Sequence, residues 1–420
     1  MLVSSSASSG SLSGRSSAAR AVVACATFKG TLSSQAAGEA VARGLSAAGM
    51  QAQVVALADG GEGLVDALAA QVPGALTVGV PCRGPRADAT RTAVFAVLPR
   101  AGRGARALAV IEMAASSGLQ LVPRLQRDPK VTTSLGVGDQ ILGALEHQSG
   151  ELEILLGLGG SATNDGGAGM AQALGARFLD AAGQPLPPGG AALLKLARID
   201  VSQLDKRLGN VAVTVACDVR NPLTGPDGAS HVFGAQKGGT PDDLKLLDEA
   251  LGHYAAVIKR DLGKDVAGIP GAGAAGGLGA GCVAFLNATL TPGIELVLSV
   301  LGFDDMLEGV VVQTSGLHAA ETAAPQRAAL VVTGEGQLDA QTLMGKAPAG
   351  VAARAQRRGV RCVAIGGQIE AGRERELLAV FSRIESLSAF AGTPEAAMRE
   401  PARWLENLAK ARAGEWLSRP

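Results

Sequence analysis

Four times in this sequence an apolar, strand-like run stops and a glycine-rich turn carrying an acidic residue begins. The run 53–57 leads into Ala58-Asp59-Gly60-Gly61-Glu62-Gly63, and the run 154–158 into Gly159-Gly160-Ser161-Ala162-Thr163-Asn164-Asp165-Gly166-Gly167. The run 211–216 leads through Cys217 into Asp218, and the run 329–332 into Thr333-Gly334-Glu335-Gly336. Open α/β sheets bind their ligands just beyond the carboxyl ends of the strands. Glycine at such a point lets backbone approach a ligand, and carboxylates there suit metal ions or proton abstraction. The pattern predicts an α/β enzyme that handles phosphate.

Local signals place these turns in a fold. A strand over 21–25, the turn Ala26-Thr27-Phe28-Lys29-Gly30, a helix over 34–47 capped by Ser33 and closed at Gly49, and a strand over 53–57 make one βαβ unit. Its strands should be parallel and its crossover right-handed. A further strand is expected over 107–112, and Asn164 or Asp165 can cap a helix reaching Leu174. Thr240 and Pro241 open a helix whose Leu244, Leu247, Leu251, Tyr254 and Ile258 keep helical spacing as far as Gly263. From 329 the chain returns to strand, turn, helix near 350–358, and strand over 362–365. At 420 residues, two domains are expected. The fold predicted is a Rossmann-like three-layer α/β domain formed by both chain ends, 21–80 and 297–413, with a second α/β domain, 81–296, inserted. The site belongs in the cleft between them. Residues 310–327, mixed and polar, read as an inserted surface loop. Residues 1–20, rich in Ser, Ala and Gly with two arginines and no acid, read as a disordered extension or a transit-type presequence. The compartment expected is the cytoplasm, or an organelle if that segment is a transit peptide.

Composition excludes some classes. A formal net charge of zero implies no nucleic-acid partner, and no apolar run reaches membrane-spanning length. Five cysteines without a CxxC pair and four histidines without metal spacing argue for buried thiols in a reducing compartment and against zinc. A homodimer is compatible with the sequence.

The motifs differ in weight. Gly345-Lys346-Ala347 lacks the rest of a P-loop, since Ala340 stands where its first glycine belongs. Gly271-Ala272-Gly273-Ala274-Ala275-Gly276 matches GxGxxG, with Glu295 at a fitting distance, but Gly268-Ile269-Pro270 precedes it instead of a strand. Glycines opening a helix near 278–287 fit it better. The loop 159–167 joins strand to helix, so its N–H groups can face an anion, with Ser161, Thr163 and Asn164 as added donors. A tight capped turn is the other reading. Glu335 and Asp339, with Lys346 behind them, suit Mg²⁺ and phosphate, unless they only cap a helix. Lys29 ends the first strand, Asp59 the second, and Lys237 follows Gln236 on a loop.

Taken together, Phe28-Lys29-Gly30, the turn 58–63, Ile111-Glu112-Met113-Ala114, the segment 159–169, Ala216-Cys217-Asp218-Val219, Phe233-Gly234, Gln236-Lys237-Gly238, the segment 271–277, Pro292-Gly293-Ile294-Glu295 and the segment 333–346 resemble the bacterial-type, two-domain, non-P-loop glycerate kinase family. The likeness runs in order from about Val22 to Leu408. It implies transfer of the ATP γ-phosphoryl group to D-glycerate, at the 2-hydroxyl, with Mg²⁺. On this reading Asp218 or Asp59 serves the substrate hydroxyl. Lys29, Lys237 and Lys346 hold phosphate or the substrate carboxylate, and Glu335 and Asp339 hold Mg²⁺. Gly159, Gly160, Ser161, Thr163, Asn164 and Gly334 meet the nucleotide. Two departures stand out: Ala26 occupies a position where the family has an acid, and the loop 310–327 is extra. A nucleotide-dependent dehydrogenase, resting on Gly271–Gly276 spacing, and a non-catalytic binding protein are the alternatives.

Overall fold

In the computed structural model the described residues are 18–28, 30–58, 63–100, 106–148, 151–309 and 326–418. Lys29, Asp59 and Glu62 lie outside them, as do the segment 1–17 and all of the extra loop except Gln326 and Arg327.

Strand β1, Arg20–Cys25, is apolar on both faces and almost wholly buried, as a central parallel strand requires. It pairs in parallel with β2, Gln51–Val54, on one side and with β11, Leu330–Leu338, on the other. Beyond β11 follow β12, Arg361–Ile369, and β13, Arg383–Ser386, giving the parallel order β13-β12-β11-β1-β2. The helix Ser34–Ala47 begins where the Ser33 hydroxyl accepts the Ala36 N–H, and the chain turns at Gly49 with φ +84°. Its buried face packs with the C-terminal helix Pro401–Leu417 on one side of the sheet. An added Cβ at Gly44 would lie 2.2 Å from the Glu406 carbonyl, so the two helices touch through backbone.

The second sheet has the order β10-β9-β6-β5-β4-β3. Strands β5 (Ala107–Glu112), β6 (Leu152–Gly157), β9 (Ala212–Ala216) and β10 (Thr289–Thr291) are parallel. Strands β3 (Leu76–Arg83) and β4 (Thr90–Leu98) close it antiparallel. A small pair, β7 (Arg177–Leu179) and β8 (Arg198–Asp200), lies apart over the Phe178–Tyr254–Phe285 cluster. One continuous core joins the two large sheets. It runs from Val22, Ala24 and Val331 through the helices Leu64–Gln71, Gly293–Val300 and Ala347–Arg357 to Ala96, Leu108 and Val110. Among the described residues no helix is long and apolar enough to cross a membrane.

The α/β architecture agrees with the sequence reading, and three local expectations are corrected. Residues 76–80, assigned to the first unit, belong to β3 and hence to the second sheet. The strand expected over 53–57 stops at Val54, because the Gln71 side chain takes both polar groups of the Ala56 backbone at 2.8 Å and lifts the chain off the ladder. The stretch 333–338, expected as a turn, continues β11, with Glu335 opposite Gly366 and Gln337 opposite Gln368. Glycines on both strands allow this close pairing, since an added Cβ at Gly367 would meet the Gly336 carbonyl at 2.5 Å.

Candidate active site

Two cavities open at the carboxyl ends of the two sheets. The first, about 410 Å³, is lined by Thr27 and Phe28 after β1, by Glu335 and Gln337 of β11, and by Gly367, Gln368 and Ser388 at the ends of β12 and β13. The chain leaves β1 toward β2 in one direction and runs from β11 to β13 in the other, so this cavity sits where the strand order reverses.

Glu335, Asp339 and Lys346 all line this cavity, so three of the expected residues come together. The local fold joins them. Asp339 caps the short helix Ala340–Leu343, accepting the Gln341 and Thr342 N–H groups at 2.8 and 3.0 Å, and the Thr342 hydroxyl returns to the Asp339 N–H. The same hydroxyl donates to Glu335 Oε1 at 2.7 Å. The helix-cap reading therefore holds for Asp339 without removing it from the cavity wall. Lys346 stands at the N-cap of the helix Ala347–Arg357, released by Gly345 at φ +102°.

The second cavity, about 390 Å³, lies beyond β6 and β9 and is lined by Gly159, Gly160, Ser161, Asp218, Gln236 and Ala275, among others. The glycine loop is held from behind. Leu119 N–H donates to the Gly160 carbonyl at 2.7 Å, and Ala162 N–H to the Ser117 carbonyl at 2.9 Å. Asp218 Oδ1 accepts the Gly293 N–H at 2.7 Å, an acid at the positive end of the helix Gly293–Val300.

The helices that start beside the two cavities pack against each other. An added Cβ at Gly350, near the start of the helix Ala347–Arg357, would lie 2.7 Å from the Ile294 side chain, near the start of the helix Gly293–Val300 that bonds Asp218. Arg354 locks this pair. Its guanidinium, 12% exposed, bonds Glu295 at 2.9 Å and Asp304 at 3.0 Å. Glu295 is thereby an ion-pair partner, not the ribose-binding acid the dinucleotide reading needed.

Four expected ligand groups point elsewhere. Thr163 and Asn164 are fully buried; the first donates to the Ala275 carbonyl at 3.3 Å and the second to the Ser230 hydroxyl at 2.9 Å. Lys237 is 1% exposed and donates to the Thr163 carbonyl at 2.7 Å. Gly334 sits inside the sheet between Cys25 and Ile365, its carbonyl taken by the Ala26 N–H. Polar residue type did not say which way each would face. The motif at 271–276 is packing: an added Cβ at Gly273 or Gly276 would fall 2.2 Å from the Pro222 carbonyl or 1.9 Å from that of Thr163. No strand precedes it, and the helix Ala274–Leu286 that follows starts with a left-handed run at Ala275, Gly276 and Gly277. Asp165, expected as a helix cap or ligand, is buried, and its carboxylate binds Ser134 of another helix as well as the Gly167 and Gly169 N–H groups. The cap position itself is Gly167.

One acid received no role from the sequence. Glu112, at the end of β5, accepts the Val65 N–H at 2.7 Å. Burial pushes its pKa up, against the backbone N–H groups of Val65, Gly63 and Leu64 that favour the carboxylate. It ties the second sheet to the start of the helix that follows the turn bearing Asp59. A strand ending in an acid, as at Asp218, was the available signal.

Among known proteins, the chain matches the model of the glycerate kinase family over residues 21–417. It is 43% identical to glycerate 2-kinase of Escherichia coli over 90% of this chain and 93% of that one. It is 44% identical to glycerate kinase of Halalkalibacterium halodurans over 84% and 86%. A crystal structure assigned to glycerate kinase 2 of Salmonella typhimurium LT2 superposes with a TM-score of 0.77 at 40% identity, covering 95% of this chain and 98% of that one. Fold and sequence thus agree, and the chain belongs to the glycerate kinase family.

Proposed function

We propose that this kinase transfers the γ-phosphoryl group of ATP to the 2-hydroxyl of D-glycerate, giving 2-phosphoglycerate, with Mg²⁺ as the metal. The observation that carries the reading is the near full-length likeness to the protein named glycerate 2-kinase. Its physical support is a pair of cavities at the strand ends of two sheets joined by packed helices, since phosphoryl transfer needs a donor site and an acceptor site.

In this reading Asp218 orients the acceptor hydroxyl and takes its proton. The bond from the Gly293 N–H holds its carboxylate at the edge of the second cavity. The loop 159–161 receives an anionic group of a substrate, and Lys346, with Lys29, stabilises charge on the transferring phosphoryl group. Lys237 leaves the set of contacting residues because it is buried.

Mg²⁺ prefers oxygen ligands and is commonly held by one or two carboxylates plus substrate phosphates. Among the described residues no three of His, Cys, Asp and Glu gather into a metal cage, while Glu335 and Asp339 share one cavity wall. This donor set fits a magnesium ion carried in with nucleotide. Glu335 would be the chief contact, since Asp339 spends one oxygen on its helix cap. When bound, the ion would neutralise phosphate charge.

The test is phosphorus NMR of the product formed from ATP and D-glycerate. A 2-phosphoglycerate signal is expected. Exclusive 3-phosphoglycerate would overturn the choice of hydroxyl, and no phosphorylated product would overturn the reading.

A further inference from the structure

Among the described residues one lysine side chain, Lys237, is fully buried, and this chemistry does not use it. Lys237 ends the turn Ala235–Lys237, which follows the short helix Ala229–Phe233. Phe233 and Gln236 of this segment form one wall of the second cavity, and the loop 159–161 forms another. The Lys237 ammonium reaches 74 residues back along the chain to the Thr163 carbonyl at 2.7 Å, two residues beyond Ser161. One bond therefore spans two walls of the cavity without entering it.

The nearest acid does not neutralise this charge by direct contact. The Asp165 carboxylate is taken up by the Thr133 and Ser134 hydroxyls and by the Ser134, Gly167 and Gly169 N–H groups. A buried ammonium without a paired carboxylate is costly, and a methionine of similar length would avoid the cost. What the charge provides is a strong hydrogen bond to loop backbone and a positive potential behind an anion-binding wall.

We propose that Lys237 is a positioning residue: its buried ammonium braces the loop 159–163 against the Phe233–Gln236 wall and sets the second cavity for an anionic substrate group. The kinetic part of this proposal rests on the kinase reading above; the brace itself does not.

Burial lowers the Lys237 pKa to about 7, with Asp165 acting the other way. The charge of the brace is thus present below neutrality and lost as pH rises. Other ionisable groups lie on the loop and on the two helices around this segment. Asp165 comes from the loop, Tyr254 from the helix Pro241–Leu262, and His231 from the helix Ala229–Phe233, 3.9 Å from Asp248.

The test is Lys237→Met, read first by hydrogen exchange in the full chain. Peptides covering 159–164 should exchange faster by about 10-fold or more, the loss of one charge-assisted bond, while peptides covering β12 stay unchanged. Unchanged exchange in the loop, or an equal increase everywhere, would overturn the brace. Kinetics follow: kcat/KM should fall about 10- to 100-fold, carried mainly by KM for one substrate. Its dependence on pH between about 6 and 8 should flatten relative to the parent. Repeating the profile in His231→Gln separates the histidine; a profile that flattens there instead would overturn the assignment. If Lys237→Met does not fold, the parent profile in the His231→Gln background decides, and a flat profile refutes the proposal. A parent enzyme that does not phosphorylate glycerate would sink the functional reading, while the exchange result would still decide the brace.

Discussion

Replacing Gly276 by alanine tests whether the 271–276 segment is a packing joint, and Gly263→Ala supplies the control. The two glycines have nearly the same backbone, φ +69° and +71°. An L-residue in this left-handed region costs about 1–2 kcal/mol, offset by roughly 0.4–1 kcal/mol of lost freedom in the unfolded chain. Gly263 ends a helix with nothing within 4 Å of an added Cβ, so Gly263→Ala should cost about 1 kcal/mol or less. At Gly276 the added carbon would lie 1.9 Å from the Thr163 carbonyl oxygen and 2.6 Å from the Asn164 Cα. Both are backbone atoms of the loop that Lys237 and Asn164 hold in place, so no rotamer change can relieve the contact. Overpacking adds about 1–3 kcal/mol, and Gly276→Ala should cost about 2–4 kcal/mol in total. Paired urea titrations of the two variants measure the difference. Activity at low denaturant should fall in Gly276→Ala far more than in Gly263→Ala, because relief must displace the loop whose residues 159–161 line the second cavity. Equal destabilisation of the two variants within about 0.5 kcal/mol would refute the packing argument.

Lys346→Met should lower turnover by the equivalent of about 3–4 kcal/mol in the barrier with little change in melting temperature; near-normal turnover would remove Lys346 from the site. Glu335→Gln should raise the Mg²⁺ concentration needed for half-maximal rate, and an unchanged metal dependence would remove Glu335 from the metal site. Lys237→Met should stabilise the fold below pH 7. The cost of burying the charge is fully present below the folded value of about 7, shrinks as pH rises toward the ordinary 10.5, and is gone above it. That span corresponds to at most about 5 kcal/mol, of which about 1–3 kcal/mol is returned when the Thr163 carbonyl loses its partner, so thermal denaturation at pH 6 and pH 9.5 should show a gain that fades. Deleting residues 310–325 and joining Gly309 to Gln326 should leave fold and activity intact. An added Cβ at Gly309 would lie 2.5 Å from the Gln326 carbonyl, and Ala328 N–H already bonds the Leu307 carbonyl at 2.8 Å, at the end of the sheet opposite the first cavity.

What the sequence showed clearly was what short-range physics decides. Ser33 and Gly49 bound one helix and Thr240 and Gly263 another, because a cap hydroxyl and a left-handed glycine act within a turn. The candidate site was legible to the same extent: Glu335, Asp339 and Lys346 sit within twelve residues and share a cavity, and Asp218 ends its strand beside the loop 159–161. The places where the structure departs from the sequence reading share a different origin. β2 ended early because of Gln71, and the glycine run 333–338 stayed extended because β12 brings its own glycines opposite. Thr163, Asn164 and Lys237 were read as ligand groups because their residue types suit anions. Their partners lie between 66 and 112 positions away, on Ser230, Thr163 and Ala275, and those contacts turn all three side chains inward. A glycine-rich loop can approach a ligand only if something else holds it still, and here the polar residues that follow its glycines do the holding. In the proposed reading, residues 159–161 form the face and residues 163–165 the anchor. A substitution in the anchor should therefore change substrate binding without removing any group that touches substrate.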